Sequence, residues 1–428
     1  MSVDISNKPK SNIFRSDRWQ TDHSRKKTIV APAPEMIKVL ESCCSCSDVG
    51  TPYDSTLQAK YDRAMEKFQE SGLMTDTTVI DVKSSPRILG YRAHAKLAVR
   101  PGSEARLAGG KRFAIGLFQP NSHTLVHHLE CPLHRESIND FLVDFHDEIE
   151  DSSITPYSEI HHSGDLRYIA VRAAHLTEEI MVTLVVTEEK HRIELKSMFL
   201  RLRQKGHNIV SVHININPEK TNTIFGPLTK KLLGANGLRE SLCNLTFEIG
   251  PVSFFQINPW QAEAIYRRVE ALAGHGTPSD VAWDLYCGTG QISLLLANLG
   301  YRTLGIEENP QAIDDALANA SRNRCENTPD YIASRVEDLL GSLPTWSEKP
   351  DLIVANPSRR GLAPAARAMI KDGLDNKAEA RFVYVSCEAE TMIRDLKELA
   401  ESGRRLRQLE CYDMFPYTEK LEWIAVFQ

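Results

Sequence analysis

Val281-Ala282-Trp283-Asp284-Leu285-Tyr286-Cys287-Gly288-Thr289-Gly290 is the stretch that decides the fold. An apolar strand breaks at two glycines and passes into the helical pattern Gln291 to Asn298. Glycines at such a turn let the backbone approach a ligand closely, and the amino end of the helix favours negative charge. The next strand, Thr303 to Glu307, ends in an acid about 20 residues further on, where a carboxylate can accept hydrogen bonds from both hydroxyls of a ribose.

Downstream, the rhythm of strand, loop and helix continues through the helix Gln311 to Asn323, the strands Asp351 to Ala355 and Arg381 to Cys387, and the helix Ala389 to Ala400. Such alternation predicts a parallel, doubly wound sheet that binds its ligand at the carboxyl ends of the strands. Leu406 to Tyr412 and Leu421 to Phe427 follow without a helix between them, so a terminal hairpin is expected to add an antiparallel strand at the sheet's edge. Upstream, the short runs Thr78 to Val82, Ala95 to Val99, Phe113 to Phe118, Tyr168 to Ala173, Ile180 to Val186 and Ile209 to Ile216 predict strands, with one helix at Asp140 to Ile149. That pattern implies an α+β domain with one antiparallel sheet. Leu57 to Glu70 has helical spacing and stops at Ser71-Gly72. The expected organisation is a flexible basic arm over residues 1–34, a Cys-containing helical segment over 35–77, an α+β domain over 78–250, and the doubly wound α/β domain over 251–428.

The 428 residues are 42% hydrophobic and carry 51 Lys and Arg against 57 Asp and Glu, a formal charge of −6. This composition excludes a disordered or fibrous chain. No apolar run reaches the roughly 18–20 residues that span a bilayer, and the polar start lacks the core of a signal peptide, so a cytoplasmic protein without a membrane partner is expected. The acidic sum argues against wholesale polyanion binding but leaves room for a local basic face. The arm, the middle domain, Arg359 and Arg360 are expected to share one.

The Gly288-Thr289-Gly290 loop fits either a dinucleotide or S-adenosylmethionine. A dinucleotide fingerprint wants a third glycine where Ser293 stands, and the terminal hairpin is typical of methyltransferase sheets, so S-adenosylmethionine is the better choice. Asn356-Pro357-Ser358-Arg359-Arg360-Gly361 follows its strand with two cations, which suit phosphate or carbonyl oxygens as well as they suit a solvated turn. An amino-group methyltransferase would continue Asn-Pro with an aromatic residue; Ser358-Arg359 disfavours that. Cys387, at a strand end that opens a helix, is either a buried small hydrophobe or a thiol whose thiolate the helix favours. Glu419 and Glu422 lie in the terminal hairpin, where carboxylates are usually solvated.

Taken in order, Ser253-Phe254-Phe255-Gln256-Ile257-Asn258, Asp284 to Gly290, Asn356 to Gly361, Ser386-Cys387 and Met414 to Glu422 resemble the RNA (uracil-5-)-methyltransferase family. Gly90-Tyr91-Arg92, Glu130-Cys131-Pro132-Leu133 and Leu166-Arg167-Tyr168 extend the resemblance more thinly upstream. The Asn-Pro-x-Arg-Arg-Gly form, and the lack of room for an N-terminal TRAM domain, are most similar to the branch that methylates 23S ribosomal RNA. The resemblance implies a class I, Rossmann-like methyltransferase domain beside an RNA-binding domain, acting as a monomer. It implies Cys387 as nucleophile toward C6 of a uracil and Glu422 as the base that removes the C5 proton. It further implies Gln256, Tyr286, Gly288, Gly290, Glu307 and Asn356 as the holders of S-adenosylmethionine, with Arg359 and Arg360 toward RNA. Many members bind a [4Fe-4S] cluster, for which this chain offers Cys43, Cys46 and Cys131, with Cys44 as fourth ligand in place of a missing upstream cysteine; a degenerate site and a zinc site are the alternative readings.

The chain departs from the family pattern at Ser358, at Glu388 beside the nucleophile, and at Tyr417 and Lys420 in the terminal motif. An acid next to the nucleophile raises the thiol pKa unless its carboxylate points away. Two other readings therefore stand beside the ribosomal one: a tRNA methyltransferase, and a noncatalytic RNA-binding protein with the same fold.

Overall fold

The computed structural model describes Cys46 and residues 48–75, 78–325 and 327–428. The basic arm, Cys43 and Cys44 lie outside these residues. In chain order the described part begins with α1 (Tyr53–Ser71), β1 (Val79–Lys83), β2 (His94–Pro101), β3 (Ala105–Arg106), β4 (Phe113–Phe118), β5 (Leu125–His127) and α2 (Glu136–Glu150). It continues with β6 (Leu166–Ala173), β7 (Ile180–Val186), α3 (Arg192–Gln204), β8 (Ile209–Ile216), β9 (Leu228–Gly234) and the hairpin β10 (Leu238–Leu242) and β11 (Leu245–Ile249).

The middle sheet has the order β3-β5-β4-β2-β6-β7-β8-β9. It is not wholly antiparallel as expected: β7 and β8 run parallel. A parallel neighbour needs a crossover, and α3 supplies it. Both α2 and α3 pack on one face, where Phe141, Phe145, Leu195 and Phe199 meet Leu97, Val99, Val171, Val182 and Ile214. Because side chains alternate along a strand, the opposite face receives the other register set. It carries His94 paired with Arg172, Lys96 paired with Ala170, and His213 paired with Lys231.

The second half contains α4 (Pro259–Ala273), β12 (Val281–Leu285), α5 (Gln291–Asn298), β13 (Arg302–Glu307), α6 (Pro310–Asn323), β14 (Asp330–Ala333), β15 (Leu352–Ala355) and α7 (Pro364–Asp375), then β16 (Arg381–Ser386), α8 (Ala389–Ala400), β17 (Leu406–Tyr412) and β18 (Glu422–Phe427). Its sheet order is β1-β17-β18-β16-β15-β12-β13-β14. Strands β12 to β16 are mutually parallel, and β18 runs antiparallel between β16 and β17. One apolar layer on this sheet contains residues of α1, α7 and α8, and the other contains residues of α4, α5 and α6.

Two expectations are corrected here. The antiparallel strand of the terminal hairpin is internal. The edge belongs to β1, which pairs in parallel with β17 from Val79↔Gln408 to Lys83↔Tyr412 and so leaves the middle domain's sheet, where Thr78 to Val82 had been expected. The reason is that β1 follows α1, and α1 is already committed to the second core. Its Met65 and Phe68 are buried there, Phe68 with its ring centroid 5.0 Å from that of Trp423. Gly72, with φ of 74°, ends the helix as the left-handed cap that glycine adopts without strain.

Lys60 fixes this attachment. Its side chain is fully buried, and its Nζ donates to Asp413 Oδ1 at 2.5 Å and to the carbonyls of Thr418 at 3.1 Å and Phe415 at 3.3 Å. One buried cation thereby gathers the whole loop between β17 and β18. Removing one partner of a buried pair strands the other charge, so Lys60→Ala is expected to lose about 3–5 kcal/mol of stability, measured by urea unfolding. A Lys60→Met/Asp413→Leu double variant should recover most of that loss.

Candidate active site

The carboxyl ends of β12, β13 and β15 meet at one rim. Strand β12 stops at Leu285, two residues earlier than its apolar run suggests, because Tyr286, Gly288 and Gly290 take φ of 63°, 55° and 83°. Gly288 faces open space, with no protein atom within 4 Å of where a Cβ would stand. At Gly290 a Cβ would meet the Tyr331 hydroxyl at 2.6 Å, so only glycine fits beneath the amino end of α5. Glu307 closes the loop from the neighbouring strand: its Oε2 accepts from Gly288 N at 3.2 Å and its Oε1 from Asn309 N at 2.9 Å. Asn356 donates its backbone N–H to Leu285 O at 3.3 Å, which brings it to the same rim. Gln256 lies half-buried in the segment that runs from Ser253, bonded to Asp315 of α6, to Asn258, which caps α4 and donates to Met414 O at 3.0 Å.

Two groups beneath this loop escaped the sequence reading. Asp284 is completely buried, accepts from Ser293 Oγ at 2.6 Å, and is pushed up to about 7 by burial, against the pull of that hydroxyl. The ring of Tyr331 packs over Gly305 and Gly290. A buried acid inside the glycine motif was the available signal for the first; nothing in the strand around Tyr331 marked the second.

Cys387 and Glu422, the two residues expected to react, lie at neighbouring ends of β16 and β18. The last paired residues are Ser386 and Trp423, so the next step of that antiparallel register sets Cys387 against Glu422. Burial raises the Cys387 thiol above its ordinary value, the Glu422 carboxylate raises it further, and Arg359 opposes both. Glu422, only 4% exposed, is pushed up to about 8 by burial, again opposed by Arg359. Arg359 therefore stabilises the anionic forms of both groups while remaining exposed, as Arg360 does.

Glu388, next to Cys387, also raises that thiol, but its charge is paired. Its Oε2 lies 3.0 Å from Lys420 Nζ. Tyr417 is buried against Tyr53, with centroids 6.0 Å apart, in an apolar cluster that also contains Cys46, Tyr91, Cys131 and Leu133. Two of the four expected cluster ligands are thus in one cluster, with Cys43 and Cys44 outside the described residues. Among the described residues no group of three or more His, Cys, Asp or Glu forms a metal site. No helix among them is long and apolar enough to cross a membrane.

A doubly wound sheet with an internal antiparallel β18, a glycine loop open to a ligand and an acid on the next strand define a class I, S-adenosylmethionine-dependent methyltransferase. The sequence model of the tRNA (uracil-5-)-methyltransferase family matches residues 343–427. An uncharacterized RNA methyltransferase of Oceanobacillus iheyensis is 31% identical over 388 residues, covering 90% of this chain and 81% of the relative. One from Gloeobacter violaceus is 32% identical over 400 residues, covering 94% and 83%. The crystal structure of Pyrococcus abyssi tRNA (uracil-54, C5)-methyltransferase in complex with S-adenosyl-L-homocysteine shares the fold, with a TM-score of 0.71 at 24% identity over 94% of this chain and 88% of that one. The chain belongs to the RNA (uracil-5-)-methyltransferase family and is an S-adenosylmethionine-dependent RNA methyltransferase.

The raised pKa of Glu422 has a measurable signature. The folded protein holds this proton more tightly than the unfolded chain, so its contribution to stability is complete below the ordinary value of 4.5 and is lost as pH rises through about 8. Glu422→Gln, which cannot ionise, should match the wild type near pH 4.5 and exceed it by ~1–3 kcal/mol at pH 8. Denaturant titrations across that window test this, and a difference independent of pH would refute it.

Proposed function

We propose that the protein methylates C5 of a uridine in RNA, with Cys387 as nucleophile and Glu422 as base. The observation that carries this reading is the placement of a thiol and a buried carboxyl on facing ends of β16 and β18, beside the exposed guanidinium of Arg359. Bound S-adenosylmethionine supplies an electrophilic methyl carbon on a sulfonium. Tyr286, Gly288, Gly290, Glu307, Asn356 and Gln256 are assigned to hold it, supported by the open space at Gly288 and the fixed carboxylate of Glu307.

The chemistry follows from the weakness of uracil C5 as a nucleophile. Cys387 loses its proton to solvent and its thiolate adds to C6, pushing the electron pair of the ring double bond onto the C4 carbonyl oxygen. Arg359 and Arg360 are suited to that oxygen and to neighbouring phosphates. The enolate returns its electrons through C5 to form the new carbon–carbon bond to the methyl that S-adenosylmethionine would supply, whose carbon–sulfur bond would break with its electron pair going to sulfur, leaving the neutral thioether S-adenosylhomocysteine. Glu422 then takes the C5 proton, the ring double bond re-forms, and the thiolate leaves. Both participating groups must be anionic, so activity should rise with pH through about 8 as Glu422 ionises and keep rising above that as the raised Cys387 thiol ionises.

The target uridine is assigned to 23S ribosomal RNA, on the Asn356-Pro-x-Arg-Arg-Gly form, in the cytoplasm and by a monomer. The middle domain and the arm are assigned to RNA contact, with the target base splayed out of its stack to reach the sheet rim. Support comes from the face of the middle sheet opposite α2 and α3, where the exposed Lys96 and Lys231 carry positive charge. Arg172 also donates to Ser253 O at 3.0 Å, joining that face to the segment bearing Gln256.

Incubation with 5-fluorouridine RNA and S-adenosylmethionine tests the mechanism, since fluorine cannot leave as a proton. A covalent complex is expected with the wild type and none with Cys387→Ala; cofactor binding without any adduct would favour the noncatalytic reading. Offering ribosomal and transfer RNA fragments separately decides the target.

We further propose that Cys43, Cys44, Cys46 and Cys131 hold a [4Fe-4S] cluster. The shared packing of Cys46 and Cys131, beside Arg92 whose Nε has no hydrogen-bond partner, suits an anionic thiolate cluster. Anaerobically purified protein should contain about four iron and four sulfide per chain. A colourless, iron-free preparation would exclude it.

A further inference from the structure

The two departures from the family pattern that flank the reactive pair lie against each other. Glu388 opens α8 and follows the nucleophile directly; Lys420 lies two residues before Glu422. The backbone of Glu388 is already fixed. Its N–H donates to Ser386 Oγ at 3.2 Å, and its carbonyl accepts from Ser386 Oγ and Thr391 Oγ1, both at 3.2 Å. Only the direction of the carboxylate remains to be set, and Lys420 Nζ, 3.0 Å from Oε2, sets it.

We propose that Lys420 is a positioning residue for the nucleophile: its ion pair with Glu388 offsets the charge of that carboxylate beside Cys387 and ties the cysteine turn to the loop leading into Glu422. The proposal rests on Cys387 acting as nucleophile.

The surrounding charges explain why an acid is tolerated here. Glu388 and Glu390 occupy the amino end of α8, where the helix dipole favours negative charge. Lys67 of α1 pairs with Glu390, and Lys420 pairs with Glu388. Each lysine also lies near the other acid, so two cations from distant parts of the chain balance two anions beside the thiol. The remaining charged groups facing Cys387 are Glu422 on β18 and Arg359 on the loop after β15. Thr391 Oγ1 also donates to Arg359 O at 3.2 Å, so the turn that carries the helpful cation is tied to the same helix end. Without Lys420, the charge of Glu388, which already opposes ionisation of the thiol, would stand uncompensated.

The test reads the thiol itself. Iodoacetamide alkylation of Cys387, followed across pH by mass spectrometry of its peptide, gives an ionisation midpoint that needs no RNA. Lys420→Ala should move the midpoint up by ~0.5 pH unit at low salt and by less than half as much near 1 M salt. Glu388→Gln should move it down or leave it, and the Glu388→Gln/Lys420→Ala double variant should return close to the wild type. A general loss of structure would not be rescued by a second deletion, so the double variant separates positioning from unfolding. An unchanged midpoint in Lys420→Ala, or a double variant that keeps the full upward shift, overturns the proposal. Failure of the nucleophile reading would look different: the 5-fluorouridine adduct would be absent, or would persist in Cys387→Ala.

Discussion

The antiparallel pairing of β18 with β16 is the constraint on which the site depends. A wholly parallel sheet would send every strand end to the rim on its own loop, and two loops would have to be steered together. Reversing one strand makes the start of β18 a neighbour of the end of β16, and the pair Ser386 and Trp423 brings the adjoining Cys387 and Glu422 to the same place. Register errors in such a pair turn side chains to the other face, and the buried residues on both faces of β18 resist that slip. The sheet therefore fixes Ser386 and Trp423, the chain neighbours of Cys387 and Glu422.

The loop entering β18 is held as firmly, though by polar means. Lys60 gathers it from beneath, Tyr91 donates to Pro416 O at 3.1 Å, and Lys420 reaches across to Glu388. The first two partners precede the first strand of the middle sheet, so the amino-terminal segment works as part of the catalytic half. A buried carboxyl with a pKa near 8 is unfavourable at neutral pH once ionised, and this surrounding framework holds it in place.

Much of this was legible in the sequence. Ile180–Val186, Ile209–Ile216, Gln291–Asn298 and Ala389–Ala400 have the bounds that their apolar patterns imply. Helix α3 was also legible, since Leu195, Met198, Phe199 and Leu202 fall at i, i+3, i+4 and i+7, though it was not among the expected helices. Strand β9 was not read because it is largely exposed and has no alternation. The partner of β1 was illegible for a different reason: pairing with β17 is a tertiary choice between opposite ends of the chain. At the site, residue types and order marked Cys387, Glu422 and the glycine loop, while Glu388 and Lys420 read singly as defects. Only their separation in space shows them as a pair.

The parallel pairing of β1 with β17 also bears on how the chain assembles. During synthesis α1 and β1 emerge first, yet the surfaces they cover are made last. Until then the apolar side of α1 and an unpaired strand edge are left exposed, the kind of surface that recruits chaperones or a second nascent chain. Closing the sheet joins the two termini of the described chain across a long loop, a contact whose entropy is repaid only at the end of folding. The catalytic rim is thus completed in the same late step that shields the amino-terminal helix, and no earlier fragment of the chain contains an assembled site.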